Sequence, residues 1–237
     1  MIRNNFTKYG NQHNCCRKVV NDGRQEESKK RNDPKQVALA ACFNQTLDGS
    51  KSFEIINHFN ESAELKIQLA GELAQPIVQA IELMFVALSN GNRILACGNG
   101  GSAALCQHFS AQLVGRFERE RLPLPAMALS TDSSIVTAVG NDYGFGDIFA
   151  KQVQAYGQAG DVLFALSSSG VSANVMAAID AALERDMRVV ALTGASSGNI
   201  PRSLTDADVH IGVPYERAVR IQEVHLLIVN CLCDGID

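Results

Sequence analysis

No run of apolar residues in this 237-residue chain approaches the roughly 20 needed to cross a bilayer. The N-terminus also lacks an uninterrupted apolar core of the signal-peptide kind, so a cytoplasmic protein with no membrane partner is the expectation. Zinc-type cysteine spacing is missing too. The seven cysteines are scattered, and His13 beside Cys15 and Cys16 completes no four-ligand set. Cys97, Cys106, Cys231 and Cys233 fall in apolar or regular stretches, which suits buried, reduced thiols. Positive charge is scarce outside one segment. The net charge is −4, yet the first 37 residues carry nine Lys and Arg against four Asp and Glu, leaving about −9 on the rest. Affinity for a phosphate backbone needs clustered cations, so sequence-specific binding of nucleic acid is not expected.

What is present suffices for one sizeable core: 46% of residues are hydrophobic and 19% charged. Residues 1–50 read as a basic, disordered extension and 51–237 as a single domain. Helical spacing of Ile55, Ile56 and Phe59, then of Ile77, Ile81, Met84, Phe85 and Leu88, predicts two helices between about residues 53 and 90. Pro76 falls near the start of the second, where a first turn tolerates proline. Short apolar runs follow at 94–97, 126–129, 162–166, 189–192 and 209–213, with helical patterns at 103–114, 173–183 and 217–233. Apolar strands separated by helices predict an α/β fold, a doubly wound parallel five-stranded sheet covered on both faces. Ligands of such sheets bind outside the carboxyl ends of the strands.

Two loops at those ends carry the chemistry. The first strand runs into Gly98-Asn99-Gly100-Gly101-Ser102, where glycines permit tight turns and the following helix start attracts an anion. Gly98, Gly100 and Ala103 also fit a loose dinucleotide pattern, a weak signal alone. The third strand ends in Ser167-Ser168-Ser169-Gly170-Val171-Ser172. Its hydroxyls, with the amides of the next helix start, suit the oxygens of a phosphate. The plainer alternative is that a serine there caps the helix. Two anion-ready loops on one sheet edge point to a phosphosugar.

The stretches ILACGNGGSAA, QHFSAQLVGRFERERLPLPAMALSTDSS, VGNDYGFGDIFAKQV, SSSGVSANV, VVALTG and RIQEVHLLIVNCLCD resemble the phosphoheptose isomerases of the sugar-isomerase (SIS) family, over roughly residues 53–237. The resemblance implies the SIS fold, a homotetramer with sites at subunit interfaces, and conversion of sedoheptulose 7-phosphate to D-glycero-D-manno-heptose 7-phosphate for lipopolysaccharide core synthesis. It implies that Ser102, Ser167, Ser168 and Ser172 hold the phosphate, and that Asn99, Asn141 and Asp142 surround the sugar. His108 and Gln222 match positions of a metal-binding or catalytic cluster.

The chain departs from that pattern where active members carry a glutamate and a second histidine. Gln112 and Asn230 stand at those base and acid positions, and neither amide titrates near neutrality. Loss of a general base usually costs on the order of a hundred to ten thousand fold in rate. Leu105 and Val171 also replace residues usual in the family, and Asp142 and His225 are candidate substitute bases. Retained loops with missing acid and base resemble another SIS branch, the DnaA initiator-associating proteins. The expectation is therefore a catalytically impaired phosphosugar-binding regulator of replication initiation, with DnaA as partner and no cofactor. The alternative is an active phosphoheptose isomerase, for which zinc on an incomplete His108 and Gln222 site is the possible metal. His225 shares a helix face with Gln222 and suits a core role, His58 and His210 belong to no constellation, and Arg116, Arg119 and Arg121 suit a solvated segment.

Overall fold

The computed structural model describes residues 50–237. Of the extension expected over 1–50, residues 1–49, with His13, Cys15 and Cys16, lie outside the described residues, and Ser50 begins the first helix. The described residues divide into two units, with the boundary between Glu61 and Ser62. The described part of the first is helical, carries an ion pair between Lys51 Nζ and Glu54 Oε2 at 3.0 Å, and exposes Phe53, Ile55, Ile56 and Phe59.

The two helices expected before the sheet are one, α1, Ser50–Ser89, with Pro76 in its interior. Proline there forfeits a helical hydrogen bond and crowds the preceding turn, at a cost of about 3 kcal/mol. Continuity is favoured by the apolar stripe on either side: Leu65, Leu69 and Leu73 before Pro76, and Ala80, Met84 and Ala87 after it, all buried in one core. Burial of a single leucine-sized side chain is worth about 1.5–3 kcal/mol, so this stripe outweighs one broken bond. By length and composition α1 is also long and apolar enough to cross a membrane. Its stripe faces the protein core, however, while Glu64, Glu72 and Glu82 are exposed, the pattern of an amphipathic surface helix.

The sheet and its covering helices follow in order: β1 Ile94–Gly98, α2 Gly101–Val114, β2 Ala126–Ala128, α3 Ser133–Asp142, α4 Ala150–Tyr156, β3 Val162–Ser167, α5 Ala173–Leu183, β4 Arg188–Thr193, α6 Ile200–Ser203, β5 Val209–Gly212 and α7 Ala218–Ile236. All five strands are parallel in the order β2-β1-β3-β4-β5. Side chains alternate between two cores, as a pleat of period two requires. Ile94, Ala96, Phe164, Leu166, Val190 and Leu192 face the helices α1, α2 and α7, whereas Leu95, Cys97, Leu163, Ala165, Val189 and Ala191 face α4 and α5. Phe164 meets Phe109 of α2 with ring centroids 4.8 Å apart. At the amino ends, the buried Asp161 carboxylate accepts the backbone N–H groups of Arg93 and Gln158, each at 2.9 Å, and so joins the starts of β1 and β3.

The strand order reverses between β1 and β3. The chain goes from β1 to one neighbour, β2, and then crosses to the other side. In an open sheet this reversal opens a crevice at the carboxyl ends. Gly98 of β1 is in register with Leu166 of β3, so the glycine-rich and serine-rich loops leave the sheet side by side.

Candidate active site

Close approach explains the first loop. A Cβ on Gly98 would lie 2.8 Å from the Ser102 Cβ and 2.9 Å from the Leu166 carbonyl oxygen, so only glycine lets the chain turn directly into α2. Ser102 is buried in the first turn of that helix, whose N-cap Gly100 offers no side chain. Gln222 of α7 reaches the same turn: a Cβ on Gly101 would lie 2.5 Å from its Oε1.

In the second loop the Ser167 hydroxyl donates to Ser172 Oγ at 3.1 Å and accepts the Gly170 N–H at 3.1 Å. Ser172 is the N-cap of α5, yet its side chain makes no capping bond. Simple helix capping therefore does not account for it. Ser168 and Ser169 line a cleft of about 540 Å³ with Ala195, Tyr215, Glu216 and Ile221.

The two loops are joined by a pair of amides. Asn99 Nδ2 donates to Asn174 Oδ1 at 2.8 Å, and Asn174 Nδ2 donates back to Asn99 Oδ1 at 2.9 Å. Asn174 had no part in the sequence reading. Its place two residues after Ser172, at the start of a helix, was the one available signal.

A third group sits where α2 packs on α7. His108 Nε2 lies 3.2 Å from Asn230 Oδ1. An amide oxygen only accepts, so the contact is a hydrogen bond when the ring carries its proton on Nε2, the tautomer that leaves Nδ1 unprotonated. Gln112 is half-buried one turn further along α2. Its carbonyl oxygen accepts a 2.9 Å bond from Arg121, which also bonds the Leu113 carbonyl oxygen at 2.8 Å and pairs through Nε with Asp237 Oδ1 at 2.5 Å. Arg121 is therefore not the solvated cation expected of it. It caps the end of α2, where unpaired carbonyls need a donor. Arg116 does lie in solvent, 3.4 Å from Glu120.

Other sequence candidates fall elsewhere. Asn141 and Asp142 are exposed at the end of α3, where Asn141 Nδ2 donates to Asp142 Oδ1 at 2.8 Å. His225 is wholly buried, with Nε2 3.1 Å from the Thr193 carbonyl oxygen. Burial lowers it from 6.5 to about 4, against the raising effect of that bond, so it is neutral at working pH and enclosed away from solvent. A substitute base must reach substrate, and His225 does not meet that requirement. His210 belongs to the same group, its Nε2 2.8 Å from Thr193 Oγ1, and burial lowers it as well.

A zinc site on His108 and Gln222 does not fit this donor set. Among the described residues no group of three or more His, Cys, Asp or Glu could hold a metal ion. Three of the four cluster positions, Gln112, Gln222 and Asn230, are neutral amides, whereas zinc favours thiolate, imidazole and carboxylate.

A parallel five-stranded sheet with helices on both faces and two loops meeting at its reversal point is the architecture of an SIS domain, and the SIS-domain family pattern matches residues 57–194. The chain belongs to the SIS-domain family. Among its curated relatives, the phosphoheptose isomerase of Methylibium petroleiphilum is 57% identical over 183 residues, which is 77% of this chain and 92% of the relative. The solved structure of the phosphoheptose isomerase from Neisseria gonorrhoeae shares 51% identity at a TM-score of 0.75, covering 78% of this chain and 98% of that one. The enzyme from Francisella tularensis shares 44% identity at a TM-score of 0.77, covering 79% and 98%.

These likenesses overturn the expectation of a catalytically impaired, DnaA-associating regulator. Relatives matched at this identity over nearly their whole length are named as isomerases, and the replication role has no support in them. The expectation rested on Gln112 and Asn230 at the base and acid positions, together with the resemblance of the retained loops to that branch. Two amides do not remove every titratable group from the cluster, because His108 remains and its ring is oriented by Asn230.

Proposed function

We propose that this chain is a phosphoheptose isomerase converting sedoheptulose 7-phosphate to D-glycero-D-manno-heptose 7-phosphate. The observation that carries the reading is the 57% identity spanning 92% of a curated phosphoheptose isomerase. The loops are chemically suited to it. Serine hydroxyls and two helix starts without side-chain caps favour the phosphate. The sugar then extends toward Asn99 and Gln222, with Asn141 and Asp142 supplied across a subunit interface.

Aldose–ketose exchange removes a proton from C1 of the ketose, forms an enediol and returns a proton to C2, while a hydroxyl proton moves between the two oxygens. His108 carries the proton: Nδ1 takes it and gives it back on the neighbouring carbon, and Asn230 keeps the ring in one tautomer. The donor set gives zinc no place in that step.

A homotetramer fits the apolar side chains left in solvent, including Ile67, Phe85 and Val86 of α1 and Val219, Leu226 and Leu227 of α7. A cytoplasmic location fits a substrate that is an intracellular sugar phosphate.

The test is to incubate the purified protein with sedoheptulose 7-phosphate, with and without zinc, and follow the aldose by NMR. Steady accumulation of the heptose phosphate is expected. Absence of turnover in both conditions, at enzyme concentrations where an ordinary isomerase reaches equilibrium, overturns the reading.

A further inference from the structure

Asn174 is 3% exposed in the first turn of α5, and the hydrogen bonds to Asn99 are reciprocal. A primary amide has two N–H donors and two acceptor lone pairs. The pair spends one of each from both residues. Asn99 keeps a second N–H and a second lone pair for whatever enters the crevice, whereas Asn174 lies beneath it and is buried. No other side-chain type reproduces this exchange in place. An aliphatic side chain strands the Asn99 amide, and a carboxylate sets oxygen against oxygen.

We propose that Asn174 is a positioning residue of the sugar-phosphate site: its amide clasp on Asn99 holds the glycine-rich and serine-rich loops at one separation, so that a single ligand meets both sets of donors at once. The inference rests on the isomerase reading of the same crevice. Asn174 acts through Asn99 and through the alignment of α5 with α2, whose loops already start in register at Gly98 and Leu166. The clasp adds a direct side-chain tie between the two loops, and it lowers the entropic cost a ligand bears in bringing them into line.

The experiment is a double-mutant cycle on sedoheptulose 7-phosphate turnover with Asn174→Ala, Asn99→Ala and the double variant. Asn174→Ala should lower kcat/KM about tenfold, mainly through KM, the worth of roughly one net hydrogen bond. The double variant should be no worse than Asn99→Ala alone, because the clasp is already lost. Effects that multiply, or an unchanged KM in Asn174→Ala, overturn the proposal. A purely structural role would not produce the second readout. In Asn174→Asp the ionised carboxylate repels Asn99 Oδ1, so KM should exceed that of Asn174→Ala at pH 7.5. It should fall toward wild type as acid restores a donor, while wild type shows no such recovery.

If wild type neither binds nor turns over the sugar phosphate, the isomerase reading has failed, and inorganic phosphate becomes the probe. A loss of phosphate affinity of about tenfold in Asn174→Ala, shared with Asn99→Ala and not added to it, still upholds the clasp. Unchanged phosphate affinity overturns it.

Discussion

His108 Nε2 and Asn230 Oδ1 lie 3.2 Å apart across the contact between α2 and α7, and in the proposed mechanism this bond leaves Nδ1 as the nitrogen free to act as a base. Replacing His108 by Gln should lower kcat by about a hundred to ten thousand fold, the usual worth of a general base. Asn230→Asp keeps an acceptor for Nε2–H and should retain most activity. Asn230→Leu removes it and should lower kcat about tenfold. Steady-state kinetics with the aldose followed by NMR separates the three variants.

Ser167 joins three parts of its loop, and its hydroxyl is suited to turn to a bound phosphate. Ser167→Ala and Ser172→Ala should each raise KM for sedoheptulose 7-phosphate about 10- to 100-fold, the range for a hydrogen bond to a charged group. Initial rates across a substrate series, with kcat compared in parallel, check this.

His225 makes stability depend on pH. Its folded value, about 4, lies below the ordinary 6.5, so between these values the unfolded chain binds the proton more readily. The contribution is fully present above pH 6.5 and is lost as pH falls from 6.5 toward 4, amounting to about 3 kcal/mol. His210 shifts in the same direction. Urea unfolding at pH 7.5 and pH 4.5 should show the loss, and His225→Leu should flatten the difference even though it forfeits the bond to the Thr193 carbonyl.

Phe164 is fully buried in β3 against Phe109, at the centre of the sheet. Phe164→Ala should destabilise the fold by about 3–5 kcal/mol, with the cavity adding to the lost transfer energy. A shift of the urea midpoint at constant slope is the expected result.

The inner strands β1, β3 and β4 were legible because each is apolar on both faces, as a sheet covered on two sides requires, while the edge strands β2 and β5 were legible as short apolar runs despite the exposed Met127 and the half-buried His210. The ends of α5 were legible from Ser172 and the apolar spacing after it. Helix α3, capped by Asp132 at the Ile135 N–H, and the short helices α4 and α6 were not, because their periodicity spans too few turns to stand out. Pro76 was misleading for a related reason. Its local cost was visible, whereas the compensating contacts of Leu73 and Ala80 depend on a core assembled from distant segments.

The sequence by itself determined the fold class and the two loops, with the glycines and serines that line them, since these residue types and the buried strands impose them locally. Tertiary structure decided which of those groups act together. His108 meets Asn230 across 122 positions of sequence and Asn99 meets Asn174 across 75, while His225, a candidate by type, is enclosed in the core. Arg121 was turned from solvent to the end of α2 by the nearby Gln112 and Leu113 carbonyls together with Asp237, which the packing of α7 brings within reach. Spacing along one helix gives a shared face, but the partner on another helix is set by packing, and packing is a property of the whole core.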